Sequence, residues 1–127
     1  MHLDPNGMKP IYIQVAEWIE AEILNETFLP HDKVYSQYTL ADMFTINPAT
    51  AAKGLTLLAE KKILYSKRGL GKFVTPEAKA IIVNKRKNQT LKKLLEDLVI
   101  EAERLKVDEQ ELMQLLQQEI TNRKGEV

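Results

Sequence analysis

SQYTLADMFTINPATAAKGLTLLAEKKILYSKRGLGKFV, residues 36–74, is the stretch on which the fold turns. Ser36 can cap orphan helix amides, and Leu40, Ala41 and Phe44 follow at helical spacing, so a short helix is expected. Thr45 and Ile46 make a brief turn. Asn47 offers a second cap, and Pro48 suits the first helical position because its φ is preset and its missing amide is not needed there. In the helix that begins at Pro48, Ala51, Leu55 and Leu58 recur at i, i+4 and i+7 and face a core. Ala49, Thr50, Lys53 and Leu57 are left on the outward face. Ile63 to Ser66 and Lys72 to Thr75 read as two short strands around Lys67, Arg68, Gly69, Leu70 and Gly71, whose glycines permit positive φ. Helix, turn, helix and a glycine-tipped basic hairpin are the layout of a winged helix-turn-helix, mainly α with a small β-hairpin wing.

Charge is distributed unevenly. The 127 residues carry 18 basic and 18 acidic side chains, yet Lys53, Lys61, Lys62, Lys67, Arg68 and Lys72 face only Glu60 within their stretch, a local net of +5. Phosphate attraction decays over a Debye length of roughly 8 Å at physiological salt, so the local excess governs nucleic-acid binding more than the neutral total does.

Composition excludes several classes. No apolar run approaches the roughly 20 residues of a membrane helix and no signal segment opens the chain, so a soluble cytoplasmic protein is expected. The absence of cysteine removes disulfides, thiolate metal sites and cysteine nucleophiles together. His2 and His31 stand far apart with no further ligands at metal-binding spacing, and no base lies beside a nucleophile. No metal, cofactor or enzymatic activity is expected.

The chain divides at Thr75 and Pro76, giving expected domains 1–75 and 76–127. Upstream, Ile11 to Leu24 reads as a helix with Ile11, Val15, Trp18, Ile19, Ile23 and Leu24 near one face, closed by the turn at Leu29 to Asp32. Its other face bears Glu17, Glu20, Glu22 and Glu26 and should point away from DNA. Downstream, Leu91, Leu94, Leu95, Leu98, Val99, Ala102 and Leu105 form an apolar helical stripe. Asp108 with Glu111 starts a further helix carrying Leu112, Leu115, Leu116 and Ile120. A lone two-helix hairpin cannot bury these side chains. They either fold back on the first domain or pair with a second copy, and the separate stripes favour a homodimer.

PIYIQVAEWIEAEI at residues 10–23, LPHDKVYSQYTLADMFTINPATAAKGLTLL at 29–58 and RGLGKFV at 68–74 together resemble the DNA-binding domain of GntR-family transcriptional regulators. The tail LKVDEQELMQLLQQEI, residues 105–120, resembles the YtrA-type branch, which lacks a large effector domain. The resemblance covers nearly the whole chain, including the LDP at residues 3–5, and implies that Met1 to Lys9 is native sequence. It further implies a cytoplasmic, dimeric regulator, usually a repressor, on a palindromic operator, often near genes for ABC transporters. Ser36, Leu40, Ala41, Asn47, Pro48, Thr50, Gly69, Gly71, Phe73 and Val74 match the family pattern. The family commonly has arginine where this chain has Tyr38 and Lys53, asparagine where it has Ala49 and proline where it has Tyr35.

Ser36, Tyr38, Thr50, Lys53, Lys67, Arg68, Gly69 and Lys72 are therefore the candidate DNA-binding residues. Each has a plainer reading: Lys53 as a solvated lysine, Thr50 as a first-turn hydroxyl, Lys67 and Arg68 as ordinary hairpin charges, Gly69 as a turn residue. Tyr12 and Trp18 read as packing, and Lys85, Arg86 and Lys87 as a solvated hinge. Lysine keeps a charge at position 53 without the bidentate fork that reads guanine, which leaves a winged-helix protein-docking module as the alternative to a DNA-binding regulator. A small-molecule effector is not specified by these residues.

Overall fold

The computed structural model describes residues 3–125, so His2 and the outermost residues of both expected domains lie outside the described residues. In chain order the elements are α1 (Ile11–Leu24), α2 (Gln37–Phe44), α3 (Pro48–Glu60), β1 (Leu64–Lys67), β2 (Gly71–Val74), α4 (Ala78–Arg86), a π turn (Lys87–Leu91), α5 (Lys92–Arg104) and α6 (Glu109–Lys124). The chain is mainly helical with one antiparallel hairpin. It forms two compact units, the first ending at Lys85 and the second beginning at Arg86.

Local signals set the ends of the helix-turn-helix. The Thr39 amide donates to Ser36 Oγ at 3.1 Å, and the Ala49 amide donates to Asn47 Oδ1 at 2.8 Å. Between the two helices Thr45 closes α2 in the left-handed region, with φ 54°. Val15, Ile19 and Ile23 of α1 meet Leu40 of α2, Ala51, Leu55 and Leu58 of α3, and Ile63, Leu64 and Val74 of the wing in one core. Leu57, expected to face outward, is half-buried against this core, because α3 is covered over a wider arc than its i, i+4, i+7 positions define. At Gly54 helices α1 and α3 approach so closely that an added Cβ would lie 2.8 Å from the Tyr12 carbonyl oxygen.

The wing pairs Leu64 with Val74, Tyr65 with Phe73, Ser66 with Lys72 and Lys67 with Gly71. Its strands lie one residue nearer the tip than the sequence pattern suggests, in the same register, and the Thr75 amide donates to Ile63 O at 3.0 Å beyond their end. Gly69 and Gly71 have φ of 76° and 115°, values that L side chains rarely adopt, so the tight turn depends on them. The outer edge of β2 is also occupied. Lys33 forms a bridge with Phe73, the Val34 amide donates to Lys72 O at 3.0 Å, and the Val74 amide donates to Asp32 O at 2.9 Å. Covering this edge removes a site for unwanted strand pairing.

Two expected surface residues, Glu20 and Lys85, are corrected in the first unit. Glu20 does not join an exposed acidic face: it is buried, and both carboxylate oxygens accept from Lys85 Nζ, at 2.9 and 3.1 Å. Lys85 is accordingly an ion-pair partner rather than part of a solvated hinge, because a buried carboxylate requires a compensating cation. Ala78 and Ile82 of α4 are also buried in the winged-helix core, so the first compact unit extends past Thr75 and Pro76.

In the second unit the Glu111 amide donates to Asp108 Oδ1 at 2.8 Å, starting α6. Lys106, with φ 57°, turns the chain after α5. Among the described residues of this unit only Ala102 is buried, and α6 buries no side chain. Leu112 is half-buried, while Leu91, Leu94, Leu95, Leu98, Val99, Leu105, Leu115, Leu116 and Ile120 are exposed, as are Ile100 and Met113.

Candidate nucleic-acid interface

The start of α3 presents the side chains that a helix-turn-helix would offer to a groove. Ala49 and Lys53 are exposed and Thr50 is half-exposed, whereas Ala51, Leu55 and Leu58 of the same helix are buried. This separation follows from the 3.6-residue period together with the Asn47 cap and Pro48, which set where the helix begins. The Lys53 ammonium lies over the Tyr12 ring, 4.2 Å from its centroid.

A cleft of about 320 Å³ opens between the start of α2 and the wing. Ser36, Tyr38, Lys72, Leu70 and Lys33 line it. The Ser36 hydroxyl accepts from the Thr39 amide and donates to Thr39 Oγ1 at 3.1 Å, while Tyr38 is 67% exposed. The structure thus gathers three of the expected residues, Ser36, Tyr38 and Lys72, around one opening. Lys33 joins them through its bridge to Phe73, a pairing that no local sequence signal announces.

Lys67, Arg68 and Gly69 are exposed at the wing tip. Lys67 Nζ lies 4.8 Å from the Phe73 ring centroid and 5.9 Å from that of Tyr65, and these rings stack at 5.7 Å. Lys72 Nζ donates to Ser66 Oγ at 2.9 Å across the strands. Ring faces and a neutral hydroxyl hold these ammonium groups without neutralising them, so their charge remains available to a polyanion. Behind α2, Trp18 meets Phe44 edge-on at 5.2 Å and stacks with Tyr35 at 6.2 Å, an aromatic cluster that supports the helix-turn-helix from below.

Among the described residues no group of His, Asp and Glu side chains is arranged to hold a metal ion, and no helix is long and apolar enough to cross a membrane.

A capped helix-turn-helix with a cation on its second helix and a basic wing defines the class of winged-helix DNA-binding domains. No family model matches the chain. The chain is 28% identical over 125 residues to the HTH-type transcriptional repressor YtrA of Bacillus subtilis (strain 168), covering 98% of this chain and 95% of that protein. A GntR family transcriptional regulator from Listeria monocytogenes superposes with a TM-score of 0.70 at 28% identity, over 91% of this chain and 98% of that one. AraR(DBD), solved in complex with operator ORX1, matches with a TM-score of 0.54 at 31% identity, over 59% of this chain and 93% of that one. The chain belongs to the GntR family of transcriptional regulators, in its YtrA-type branch.

Proposed function

We propose that this protein is a homodimeric repressor that binds a palindromic operator. The observation that carries the reading is the outward face at the start of α3, where Ala49, Thr50 and Lys53 stand clear of the core beside a basic wing. In this reading Lys53 and Thr50 face base edges, Lys67 and Arg68 reach the flanking groove or phosphates, and Ser36, Tyr38 and Lys72 border a phosphate, with Gly69 shaping the wing. The operator complex of AraR(DBD) supports it, since a domain of the same build contacts DNA. A lone Lys53 in place of a guanidinium makes phosphate attraction a large share of the affinity.

The domain assignment is a winged helix that binds DNA followed by a helical dimerisation region. Exposure of the apolar stripe supports dimerisation: the large apolar side chains from Leu91 to Ile120, apart from Val107 and Leu112, are 37 to 65% exposed in the single chain. At about 1.5–3 kcal/mol for complete burial of each, covering the exposed half of ten such residues yields on the order of 10 kcal/mol gross per chain. Two recognition helices would then enter successive major grooves roughly 34–36 Å apart, which makes the operator palindromic.

The test is selection from a random duplex pool followed by fluorescence anisotropy against the selected site and a scrambled duplex. An enriched inverted repeat, with affinity falling on the order of a thousandfold between 50 and 200 mM salt, supports the reading. No enrichment and no binding at low salt would transfer the assignment to a protein-docking module.

A further inference from the structure

We propose that Tyr12, on α1, is a positioning residue for operator discrimination: its ring holds the Lys53 ammonium on the DNA-reading face. The proposal rests on the reading of α3 as the recognition helix. A lysine has a long flexible stem and loses much rotamer freedom when ordered, so a free Lys53 would spread its charge over many positions. Here Nζ sits 4.2 Å from the Tyr12 ring centroid, within the range of a cation–π contact. A carboxylate would hold the ammonium equally well but would neutralise it and occupy its donors. A ring face does neither, and among the described residues no ion pair engages Lys53.

The backbone that carries the ring is packed against α3. At Gly54, the residue after Lys53, there is space only for hydrogen, because a Cβ would lie 2.8 Å from the Tyr12 carbonyl oxygen and 3.4 Å from Val15. The contact is therefore built into the closest approach of two packed helices. The start of α1 is held from its other side as well. Pro10 supplies no side-chain cap, and the Gln14 side chain ties the preceding segment to α1, accepting from the Asp4 amide at 2.6 Å and donating to Asp4 O at 2.7 Å and Lys9 O at 2.9 Å. Backbone packing and this amide clamp fix the turn that carries Tyr12, and Tyr12 in turn fixes Lys53.

Two measurements test this separately from the DNA reading. In the free protein, the Lys53 Hε protons should be shifted upfield by the ring current, a shift kept in Tyr12→Phe and abolished in Tyr12→Leu. Unshifted protons in the unaltered protein would overturn the contact without any bearing on DNA binding. In anisotropy titrations, Tyr12→Leu should lose about two- to fivefold in affinity for the selected operator, the effect of an exposed cation–π contact, with scrambled DNA unchanged. Tyr12→Phe should match the unaltered protein, and in a Lys53→Met background Tyr12→Leu should add nothing. Equal losses on operator and scrambled DNA, or an undiminished loss in the Lys53→Met background, would show Tyr12 to be merely structural. If the unaltered protein enriches no operator while its Lys53 protons are shifted, the contact stands, but the recognition reading and the role assigned to Tyr12 fall together.

Discussion

Removing Lys85 should expose how much of the first unit depends on one buried ion pair. Lys85 comes from α4 and Glu20 from the middle of α1, and their side chains are 24% and 6% exposed. Breaking a fully buried pair from one side costs about 3–5 kcal/mol, mostly because the remaining charge is stranded. Here the lysine is nearer the surface, and water can reach the site it vacates. Lys85→Met should therefore cost about 2–3 kcal/mol. Replacing both partners, as Glu20→Leu with Lys85→Met, removes the stranded charge and should return stability to within about 1 kcal/mol of the original. Urea unfolding at fixed protein concentration, followed by fluorescence of Trp18, reads these values, because Trp18 packs between Tyr35 and Phe44 in the same unit. A loss below about 0.5 kcal/mol for Lys85→Met, or a double variant as unstable as the two single changes summed, would refute the argument from the stranded carboxylate.

Three further outcomes follow from particular contacts. Gly54→Ala would gain roughly 1 kcal/mol of helix propensity, but its Cβ would meet a backbone oxygen that cannot swing aside. Overpacking of about 1–3 kcal/mol should win, and a stabilised variant in thermal melts would contradict the close approach of α1 and α3. Leu98→Asp with Leu116→Asp places charges on both exposed stripes, so light scattering should report a monomer whose operator affinity falls at least tenfold, and unaltered mass and affinity would count against dimerisation through this surface. The Glu26 carboxyl is held below the usual carboxylate range, first by the hydrogen bond from Lys79 and then by its charge. Its contribution is present above the ordinary carboxylate pKa and is lost as pH falls through the lowered value. The stability difference between Lys79→Met and the unaltered protein should therefore be small at neutral pH and vanish in acid, and a difference that grows on acidification would be inconsistent with the pair.

What could be read from the sequence was local. Ser36, Asn47 with Pro48, and Asp108 each announce a helix start within four residues of their hydrogen-bond partners, and the two glycines of the wing announce a turn that only residues tolerant of positive φ can make. Periodicity likewise assigned Val15, Ile19, Leu40, Leu55 and Leu58 to the core, since burial of one helix face leaves a 3.6-residue imprint on the chain. No such imprint marks a partner distant in sequence. Glu20 looks like its neighbours Glu17 and Glu22 until α4 returns Lys85 to it from 65 positions away. Lys33 resembles any loop lysine until its strand bridge to Phe73 brings it beside Tyr38 and Lys72. Tyr12 passes for simple packing until α1 meets α3 at Gly54 and its ring comes to lie under Lys53. Caps, turns and helix faces are decided by energies acting over a few residues, so they are written along the chain. Charge pairing and ring contacts depend on distances that do not exist until the helices have packed.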